Sequence, residues 1–550
     1  MEFIVGGEGM EDQNPSKALF KGAFILTIAA IIVKILSALY RIPFQNIVGD
    51  IGFYIYQQIY PFYGIAVVLA TTGFPVVISK LYAEQKEEGN HEKSRLLLLI
   101  SFCYLQVFGL ICFLLLYFGA NQIAYWMDDP HLYILIRVVS IVFLIFPIVS
   151  VLRGYFQGMG DMVPTALSQV GEQSTRVVTI LFLSFLFMLK GESLYFVGGG
   201  AMVGSVTGSV ISVILLFMFL WIRKEWKLVA PRKGMLQNNS QYVKQLIIAL
   251  TYQGLTICLS GMLLIFIQLA DALNLHSLLI ASGIKSEMAK GLKGVFDRGQ
   301  PFIQLGTVAA TSMSLTLVPL ITRERLGTKP EFLYHKIQLA IKVSIVIGVG
   351  ASTGLWAIIR PANRMLFENE LGSPVLGVLS FAILFTSVII TIISIMQGIG
   401  RLIFPAIIIT SLLPIKYGLN LFFVPDYGIM GAAVSTVITL GIITFLLFFY
   451  LKKLVPIPVV SVRFFGVVFT AAIVMVFVLK GYLFISEFII ATLGSISRLT
   501  VAFQSLSAVC LGAMIFTFII IRKRVFLEEE LALFPLGSKL IYFLARKDRG

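Results

Sequence analysis

Long apolar runs separated by short polar segments make up most of this chain. The runs are near 20 residues long, the length that an α-helix needs to cross the hydrocarbon core of a bilayer. The pattern therefore predicts an all-α polytopic membrane protein with about fourteen transmembrane helices. The predicted spans are 19–40, 53–79, 95–118, 132–152, 163–189, 195–222, 243–270, 299–321, 338–359, 374–397, 402–423, 429–451, 463–484 and 500–521.

Composition agrees with a membrane protein. Of the 550 residues, 58% are hydrophobic and only 13% are charged, and the mean hydropathy is +0.93. A soluble domain carries roughly twice that charged fraction. The cysteines lie inside apolar runs without Cys-x-x-Cys spacing, so we expect neither a disulfide framework nor a metal site. They are Cys103, Cys112, Cys258 and Cys510.

Basic residues predict the orientation. The N-terminal segment 1–18 lacks a basic region before its hydrophobic stretch, which is typical of a cytoplasmic tail and not of a signal peptide. Most of the 43 Lys and Arg residues then fall in cytoplasmic segments, as the positive-inside rule expects. An even number of spans also places the tail 522–550 in the cytoplasm. Topology thus explains the net charge of +15, and we expect no nucleic-acid partner.

One turn-like signal occurs twice. Gln-Gly-x-Gly followed by a proline stands at 157–160, after span four, and at 397–400, after span ten. Two weaker sequence matches occur at similar offsets. One aligns Pro75 with Pro319, and the other aligns a glycine of span six with a glycine of span twelve. Convergent loop chemistry is the alternative, because glycine and proline mark turns everywhere. The predicted turn or hinge residues are Pro75, Pro319, Gly158, Gly160, Gly398 and Gly400.

Duplication of a six-helix unit explains these matches in order. Because six is even, both copies enter the membrane in the same direction, as in parallel-repeat transporters. The predicted organisation is an N-terminal tail (1–18), an N-lobe (19–222), a cytoplasmic linker (223–242), a C-lobe (243–451), two further helices (463–521) and a C-terminal tail (522–550).

Charged residues inside the spans mark candidate sites, because each costs about 2.5–3.5 kcal/mol at the helix centre. Glu172 and Arg176 have i, i+4 spacing in span five, which predicts an intramembrane ion pair of structural or functional role. Lys34 in span one and Lys416 in span eleven have no acidic residue one turn away. Arg41 ends span one, where snorkelling is the alternative to a binding role. The mostly cationic charge suits an anionic solute such as a diphosphate.

Several stretches together resemble a transporter family. They are similar to the polysaccharide-transporter (PST) branch of the MOP superfamily, and within it to MurJ-type lipid II flippases and the stage V sporulation protein B group. The resemblance covers essentially the whole chain and implies a MOP/MATE-like fold of two six-helix lobes plus two C-terminal helices. The stretches are KILSALYRIPF (34–44), GFPVVISKLYAE (73–84), FDRGQPFIQLGTVAATSMSLTLVPL (296–320) and VPDYGIMGAAVST (424–436).

The resemblance implies a flippase for undecaprenyl-diphosphate-linked sugars, either lipid II or a related polysaccharide intermediate. Such a protein works by alternating access in the bacterial plasma membrane and serves cell-wall or polysaccharide synthesis. Its implied partners are the lipid-linked oligosaccharide and membrane lipids. We expect a monomer without a cofactor or metal.

The resemblance also implies binding residues. MurJ-type proteins have essential arginines in a central cavity. The arginine of their eighth helix matches Arg298, a first-helix basic residue matches Lys34, and a second first-helix arginine matches Arg41 with a one-residue shift. Their second-helix arginine has no counterpart near Ile65 and Ala66, which leaves the individual glycan open.

Some relatives in this family bind sodium through helices seven, eleven and twelve. Aligned on the Gly-Ala-Ala motif, Asn420 and Thr436 fall at ligand positions, whereas Lys416 stands where a neutral amide would be. An ammonium group repels Na⁺. We therefore expect Lys416 to act as a tethered cation at this possible coupling site.

Other function classes have less support. The chain contains neither a P-loop pattern nor His-Glu-x-x-His, and no clustered acid and base suggests catalysis, so we do not expect an enzyme. The main alternative is a cation-coupled multidrug exporter of the MATE type. Such a pump should carry intramembrane carboxylates, whereas Glu172 is the one clear mid-span acid.

Overall fold

The structure is a computed structural model that describes residues 15–225, 240–308, 310–312, 330–455, 461–492, 497–526 and 530. Within these ranges the regular secondary structure is helical, which confirms the predicted all-α class. The α-helices are α1 (Pro15–Leu39), α2 (Arg41–Val68), α3 (Phe74–Glu87), α4 (His91–Trp126), α5 (Tyr133–Ser140), α6 (Val142–Gly158), α7 (Val163–Leu189), α8 (Leu194–Ile222), α9 (Ser240–Ala249), α10 (Leu255–Gly261), α11 (Leu263–Ala281), α12 (Ser286–Asp297), α13 (Gly299–Gly306), α14 (Pro330–Phe367), α15 (Ser373–Ser380), α16 (Ala382–Gly398), α17 (Ile403–Leu454), α18 (Val462–Thr492) and α19 (Arg498–Arg522).

The described part of the chain has 12 helical segments that are long and apolar enough to cross a membrane. Phe24–Glu87 covers most of predicted span one and all of span two, and the 52-residue α17 covers spans eleven and twelve except for residue 402. Span seven is instead divided between Ser240–Gly261 and Leu263–Ala281. Span eight begins in α13, but 313–329 lie outside the described residues.

Glycines bend the two longest helical segments. Gly49 has φ 70° inside α2, and Gly428 has φ 55° inside α17. Both values lie in the left-handed region that glycine enters without a Cβ clash. Each bend falls between two predicted spans, so the chain can turn back into the membrane there.

The two Gln-Gly-x-Gly copies form the same turn. Helices α6 and α16 end at the first glycine of each copy, Gly158 and Gly398. The second glycines, Gly160 and Gly400, have φ values of 85° and 80°. Their amides donate to the carbonyl of the glutamine three residues earlier, at 3.0 and 2.9 Å. The turns are thus alike, while the duplication and the division into lobes stay a prediction.

Pro75 lies in the first turn of α3, directly after the π-helical segment Leu69–Gly73. Proline is tolerated there because the first helical turn leaves amides without an internal acceptor. A π-helical turn often marks a functional bend in a helix. The hinge role of Pro75 stays a prediction, and Pro319 lies outside the described residues.

Contacts between the first and second halves of the chain follow α2 along its length. Helix α2 packs against α12 near Asp50 and against α11 further along, and Leu69–Gly73 packs against α10. Two glycines allow the backbones to approach closely. A Cβ on Gly294 would lie 2.0 Å from the Asp50 carbonyl oxygen, and one on Gly73 would lie 1.8 Å from the Cys258 Sγ.

Candidate functional site

Arg298 joins the two halves at the junction of α12 and α13. Its buried Nη2 lies 2.6 and 2.8 Å from the two carboxylate oxygens of Asp50, and its Nε lies 3.0 Å from the nearer one. Nη1 donates to Oδ1 of Asn369 at 2.7 Å. The guanidinium is therefore fully engaged, and an anionic ligand would have to displace Asp50 to bind it.

Lys34 makes a second contact between the halves. Its Nζ lies 2.5 Å from the Thr311 hydroxyl oxygen, and its side chain is half-buried. Thr311 lies roughly 20 Å along the mostly helical segment from Arg298, at 1.5 Å per residue. The predicted cations Lys34 and Arg298 are thus spread along the path between the halves and do not form one cluster.

Arg41 lies buried at the start of α2, where the structure places it beside Arg176. Its guanidinium carbon is 4.3 Å from the centre of the Tyr60 ring. Among the described residues, none of its three guanidinium nitrogens has a hydrogen-bond partner. Arg176 from α7 faces the same ring at 5.4 Å, so two guanidinium groups share one aromatic neighbour.

Arg176 is held by tyrosines. Its Nη2 donates to the hydroxyls of Tyr56 at 2.7 Å and Tyr40 at 3.0 Å, and its guanidinium carbon lies 4.1 Å from the Tyr63 ring centre. Ring faces attract cations, and this attraction grows when the pair is shielded from water. We call this site the arginine–tyrosine cluster; its members are Arg41, Arg176, Tyr40, Tyr56, Tyr60 and Tyr63.

The predicted ion pair between Glu172 and Arg176 is wrong. Glu172 accepts from Nη2 of Arg153 at 2.8 Å, and Arg153 also donates to the hydroxyls of Ser168 and Ser212. The i, i+4 spacing permits the predicted pair, but the two side chains have different partners. Glu172 contacts Arg153 of α6, and Arg176 contacts Tyr40, which precedes α2, and tyrosines of α2.

Arg153 is absent from the predicted site because the predicted span four ends one residue before it, at residue 152. Helix α6 continues to Gly158 and carries Arg153 into the packed helices. The Gln-Gly-x-Gly turn was the available signal for this later end. Since Arg153 neutralises Glu172, the arginine–tyrosine cluster keeps two cations for which the described residues provide no ion-pair partner.

Lys416 lies in a different place, between α11 and both parts of α17. Four oxygens surround its fully buried Nζ: Oδ1 of Asp271 at 2.9 Å, Oδ1 of Asn420 at 2.8 Å, the Ala432 carbonyl at 2.8 Å and the Ser435 hydroxyl at 2.7 Å. A buried ammonium needs this kind of compensation, because desolvation penalises an unpaired charge.

The predicted span seven ends at residue 270 and so excludes Asp271, whereas α11 continues to Ala281. The acid therefore appeared to lie in a loop. Thr436, predicted as a ligand, donates instead to the Ala432 carbonyl at 2.9 Å. Asn420 does contact Lys416, as the predicted site requires.

A comparison with known families bears on what these sites do. Residues 19–324 match the family described as "Polysaccharide biosynthesis protein", which is more than half of the chain. The chain belongs to this family.

Curated relatives from Bacillus subtilis (strain 168) agree. The chain is 43% identical to the uncharacterised membrane protein YabM over 539 residues, covering 96% of this chain and 97% of the relative. It is 28% identical to the lipid II flippase MurJ, with 79% and 82% of the two chains covered. It is 26% identical to stage V sporulation protein B, with 96% and 99% covered.

Solved structures confirm the predicted fold. An inward closed conformation of the lipid II flippase MurJ matches with a TM-score of 0.65 at 15% identity, covering 90% of this chain and 98% of that one. An inward-facing MATE-family multidrug transporter of the MOP superfamily matches with a TM-score of 0.59 at 17% identity, covering 80% and 97%. The family and these neighbours are transporters, and the apolar helices make this chain a multi-pass membrane protein.

Sodium does not fit the residues at the predicted coupling site of this family member. A sodium ion would have to occupy the point where the oxygens of Asp271, Asn420, Ala432 and Ser435 converge. The Lys416 Nζ already lies there, within 2.9 Å of all four. A second cation beside the ammonium would be repelled.

Proposed function

We propose that this chain is a flippase for a sugar linked to undecaprenyl diphosphate, which it moves from the inner to the outer leaflet of the bacterial plasma membrane. The arginine–tyrosine cluster carries this proposal. Arg41 and Arg176 are fully buried cations without an acidic partner among the described residues. Such a pair is costly unless an anion neutralises it, and guanidinium groups bind phosphate oxygens through paired hydrogen bonds.

The tyrosines offset part of the cost of burying two guanidinium groups. Their ring faces stabilise the two guanidinium groups, and the hydroxyls of Tyr40 and Tyr56 accept from Arg176. These contacts are weaker than bonds to a dianion, so a diphosphate can replace them. Lys34 and Arg298, further along the path, would supply charge as the headgroup moves.

Two layers of contacts support alternating access. At one end Arg298 binds Asp50 across the halves. At the other end Gly73 packs against Cys258, and Tyr104 hydrogen-bonds Thr251 at 2.9 Å. The predicted topology places the first layer outside and the second towards the cytoplasm. In the proposed cycle the layers open in turn, and opening the outer one frees Arg298 to bind the departing diphosphate.

An apolar groove supports a place for the polyprenyl tail. It has a volume of about 470 Å³ and lies between α14, the start of α16 and α18. Trp356, Phe469 and Phe477 line it and are exposed. Helix α18 corresponds to predicted span thirteen, one of the two C-terminal helices outside the two predicted lobes. A tail here stays in contact with lipid while the headgroup crosses.

A cation-coupled multidrug exporter is the alternative, and its support is the shared fold. Two carboxylates in the described membrane-spanning helices disfavour it. Glu172 binds Arg153, and Asp271 binds Lys416, so neither is free to attract a cationic drug. Among the described residues, the buried arginines without an acidic partner are Arg41 and Arg176, whereas the buried carboxylate of Asp129 accepts from the hydroxyls of Tyr54 and Tyr195.

Complementation tests the proposed function. We would express the chain in bacteria depleted of their own lipid II flippase and measure lipid II exposed on the outer leaflet. Arg41→Gln and Arg176→Gln would be compared with Arg360→Gln, which alters an exposed arginine. We expect the wild type and Arg360→Gln to restore exposure, and both cluster variants to lose at least about tenfold, since a bond to a charged group contributes about 1.5–3 kcal/mol.

The other outcomes are equally informative. If the wild type inserts normally and restores nothing, lipid II is not its substrate, and the assay is repeated with other undecaprenyl-linked glycans. If both cluster variants retain full activity, the diphosphate does not bind at the arginine–tyrosine cluster.

A further inference from the structure

Lys416 ties together three membrane segments that are separate in the sequence. Asp271 comes from α11, Asn420 from the part of α17 before the Gly428 bend, and Ala432 and Ser435 from the part after it. All four supply an oxygen to one ammonium within 2.9 Å. Convergence of four oxygens on one point is the arrangement that proteins use to hold a hard cation.

Hydrogen bonds behind these oxygens hold them in place. Nδ2 of Asn420 donates to Oδ1 of Asp271 at 2.8 Å and to Oδ1 of Asn274 at 2.9 Å, which turns its own Oδ1 towards Lys416. Asn274 in turn donates to the Tyr417 carbonyl at 3.0 Å. Supporting bonds of this kind orient the ligands of a cation site.

The charges of the site balance. Lys416 and Asn420 are fully buried, and Asp271 is only 2% exposed. Lys293 and Asp297 of α12 interact electrostatically with Lys416 and Asp271, and they form an ion pair with each other at 2.7 Å. The negative charge of Asp271 is therefore compensated by the Lys416 ammonium.

We propose that Lys416 is a built-in counter-ion that permanently fills a monovalent-cation site, so that the wild-type protein needs no alkali ion there and removal of the ammonium uncovers a sodium site. The ligands of that site are Asp271, Asn420, the Ala432 carbonyl and Ser435. Without Lys416 the buried carboxylate lacks a counter-charge, and the oxygens face a space that a small cation can enter. This inference concerns cation binding alone and does not depend on what the chain transports.

Thermal unfolding of the purified full-length protein tests the proposal. Melting temperatures would be measured in sodium chloride and in choline chloride at equal ionic strength. We expect the wild type to melt at the same temperature in both. Lys416→Ala should melt lower in choline and recover with a saturable dependence on Na⁺, because a ligand that binds only the folded state stabilises it. Equilibrium binding of radioactive sodium should give one site per Lys416→Ala chain and none for the wild type.

Two control variants sharpen the test. Lys416→Ala combined with Asp271→Asn removes both charges and should lose the response to Na⁺. Lys480→Ala removes an exposed ammonium from α18 and should behave like the wild type. If Lys416→Ala alone does not fold, the double variant should still fold, since no uncompensated carboxylate remains.

Three results would overturn the proposal. The first is saturable sodium binding to the wild type that Asp271→Asn abolishes. The second is a folded Lys416→Ala protein that responds to neither Na⁺, Li⁺ nor K⁺. The third is a Lys416→Ala protein that fails to fold and is not rescued by Asp271→Asn.

Discussion

At the scale of single residues, the partners of a buried cation decide whether it can bind a substrate. Arg298, Arg176 and Arg41 are all fully buried, yet their surroundings differ. Arg298 is paired with a carboxylate, Arg176 is held by neutral hydroxyls, and Arg41 rests on a ring without a hydrogen bond among the described residues. An anion therefore meets the smallest competition at Arg41 and Arg176.

Arg176→Lys tests whether the shape of this cation matters. Lysine keeps the charge but cannot present a planar fork to Tyr40 and Tyr56 and to a diphosphate at the same time. We expect the rate of headgroup translocation to fall roughly tenfold, the effect of losing one bond to a charged group. Arg137→Lys is the matched control, because Arg137 also lies over tyrosine rings but outside the cluster. Equal loss in both variants would contradict a specific role for Arg176.

At the scale of helices, short breaks place the close contacts between the halves. The π-helical segment Leu69–Gly73 brings Gly73 against Cys258, while the π-helical segment Leu250–Gly254 brings Gly254 against Phe74. A regular α-helix would rotate these glycines away from the contact, since a π turn inserts one extra residue. The breaks thus shape the layer that closes the predicted cytoplasmic end.

Gly73→Ala should hold this layer open. The added Cβ would lie 1.8 Å from the Cys258 Sγ, so the halves must move apart. Overpacking of this kind costs about 1–3 kcal/mol, and we expect transport to fall roughly tenfold with normal membrane insertion. Thiol labelling of Cys258, in a variant whose other cysteines are serine, should become faster.

Removing the sulfur provides the control for this prediction. In Gly73→Ala combined with Cys258→Ala, the sulfur is gone. The nearest neighbour of the Cβ at residue 73 is then the Cβ of residue 258, at 3.1 Å, so most of the overlap is relieved. Transport should recover in part. A double variant as inactive as Gly73→Ala would show that the overlap with Cys258 is not the cause.

At the scale of the whole molecule, described residues of the two halves contact each other near both ends of the path between them. The Asp50–Arg298 pair holds the predicted outer end, and the Gly73–Cys258 contact holds the other. Alternating access requires that one layer opens while the other stays closed. The relative strength of the two layers therefore sets the resting population of each state.

Asp50→Asn should shift that population towards the outward-open state. The substitution weakens a buried ion pair that only the closed outer layer contains, while the layer around Cys258 stays packed. We expect labelling of Cys258 to slow roughly tenfold. A change of about 1–2 kcal/mol in the free-energy difference between the two states changes their population ratio by about that factor. Asp426→Asn, which changes an exposed acid, should leave the labelling rate unchanged. Faster labelling in Asp50→Asn would mean that the two layers open together.

The sequence alone was sufficient for the class of fold and for the positions of most spans. Apolar runs of membrane length and the repeated Gln-Gly-x-Gly turns are local properties, and the structure has helices and matching turns at these places. Errors arose at helix ends. Ending spans four and seven too early hid Arg153 and Asp271, because hydropathy falls where a polar residue enters a helix even when the helix continues.

Local pattern therefore determined which segments enter the membrane and which of them carry charge. Tertiary structure decided the partners of those charges. Glu172 pairs with Arg153 and not with Arg176 on its own helix. Lys416 pairs with Asp271 on another helix, and Arg298 binds an aspartate 248 residues away. The physical reason is that burial makes an unpaired charge costly, while helix packing, which joins distant parts of the chain, determines which opposite charge lies within reach.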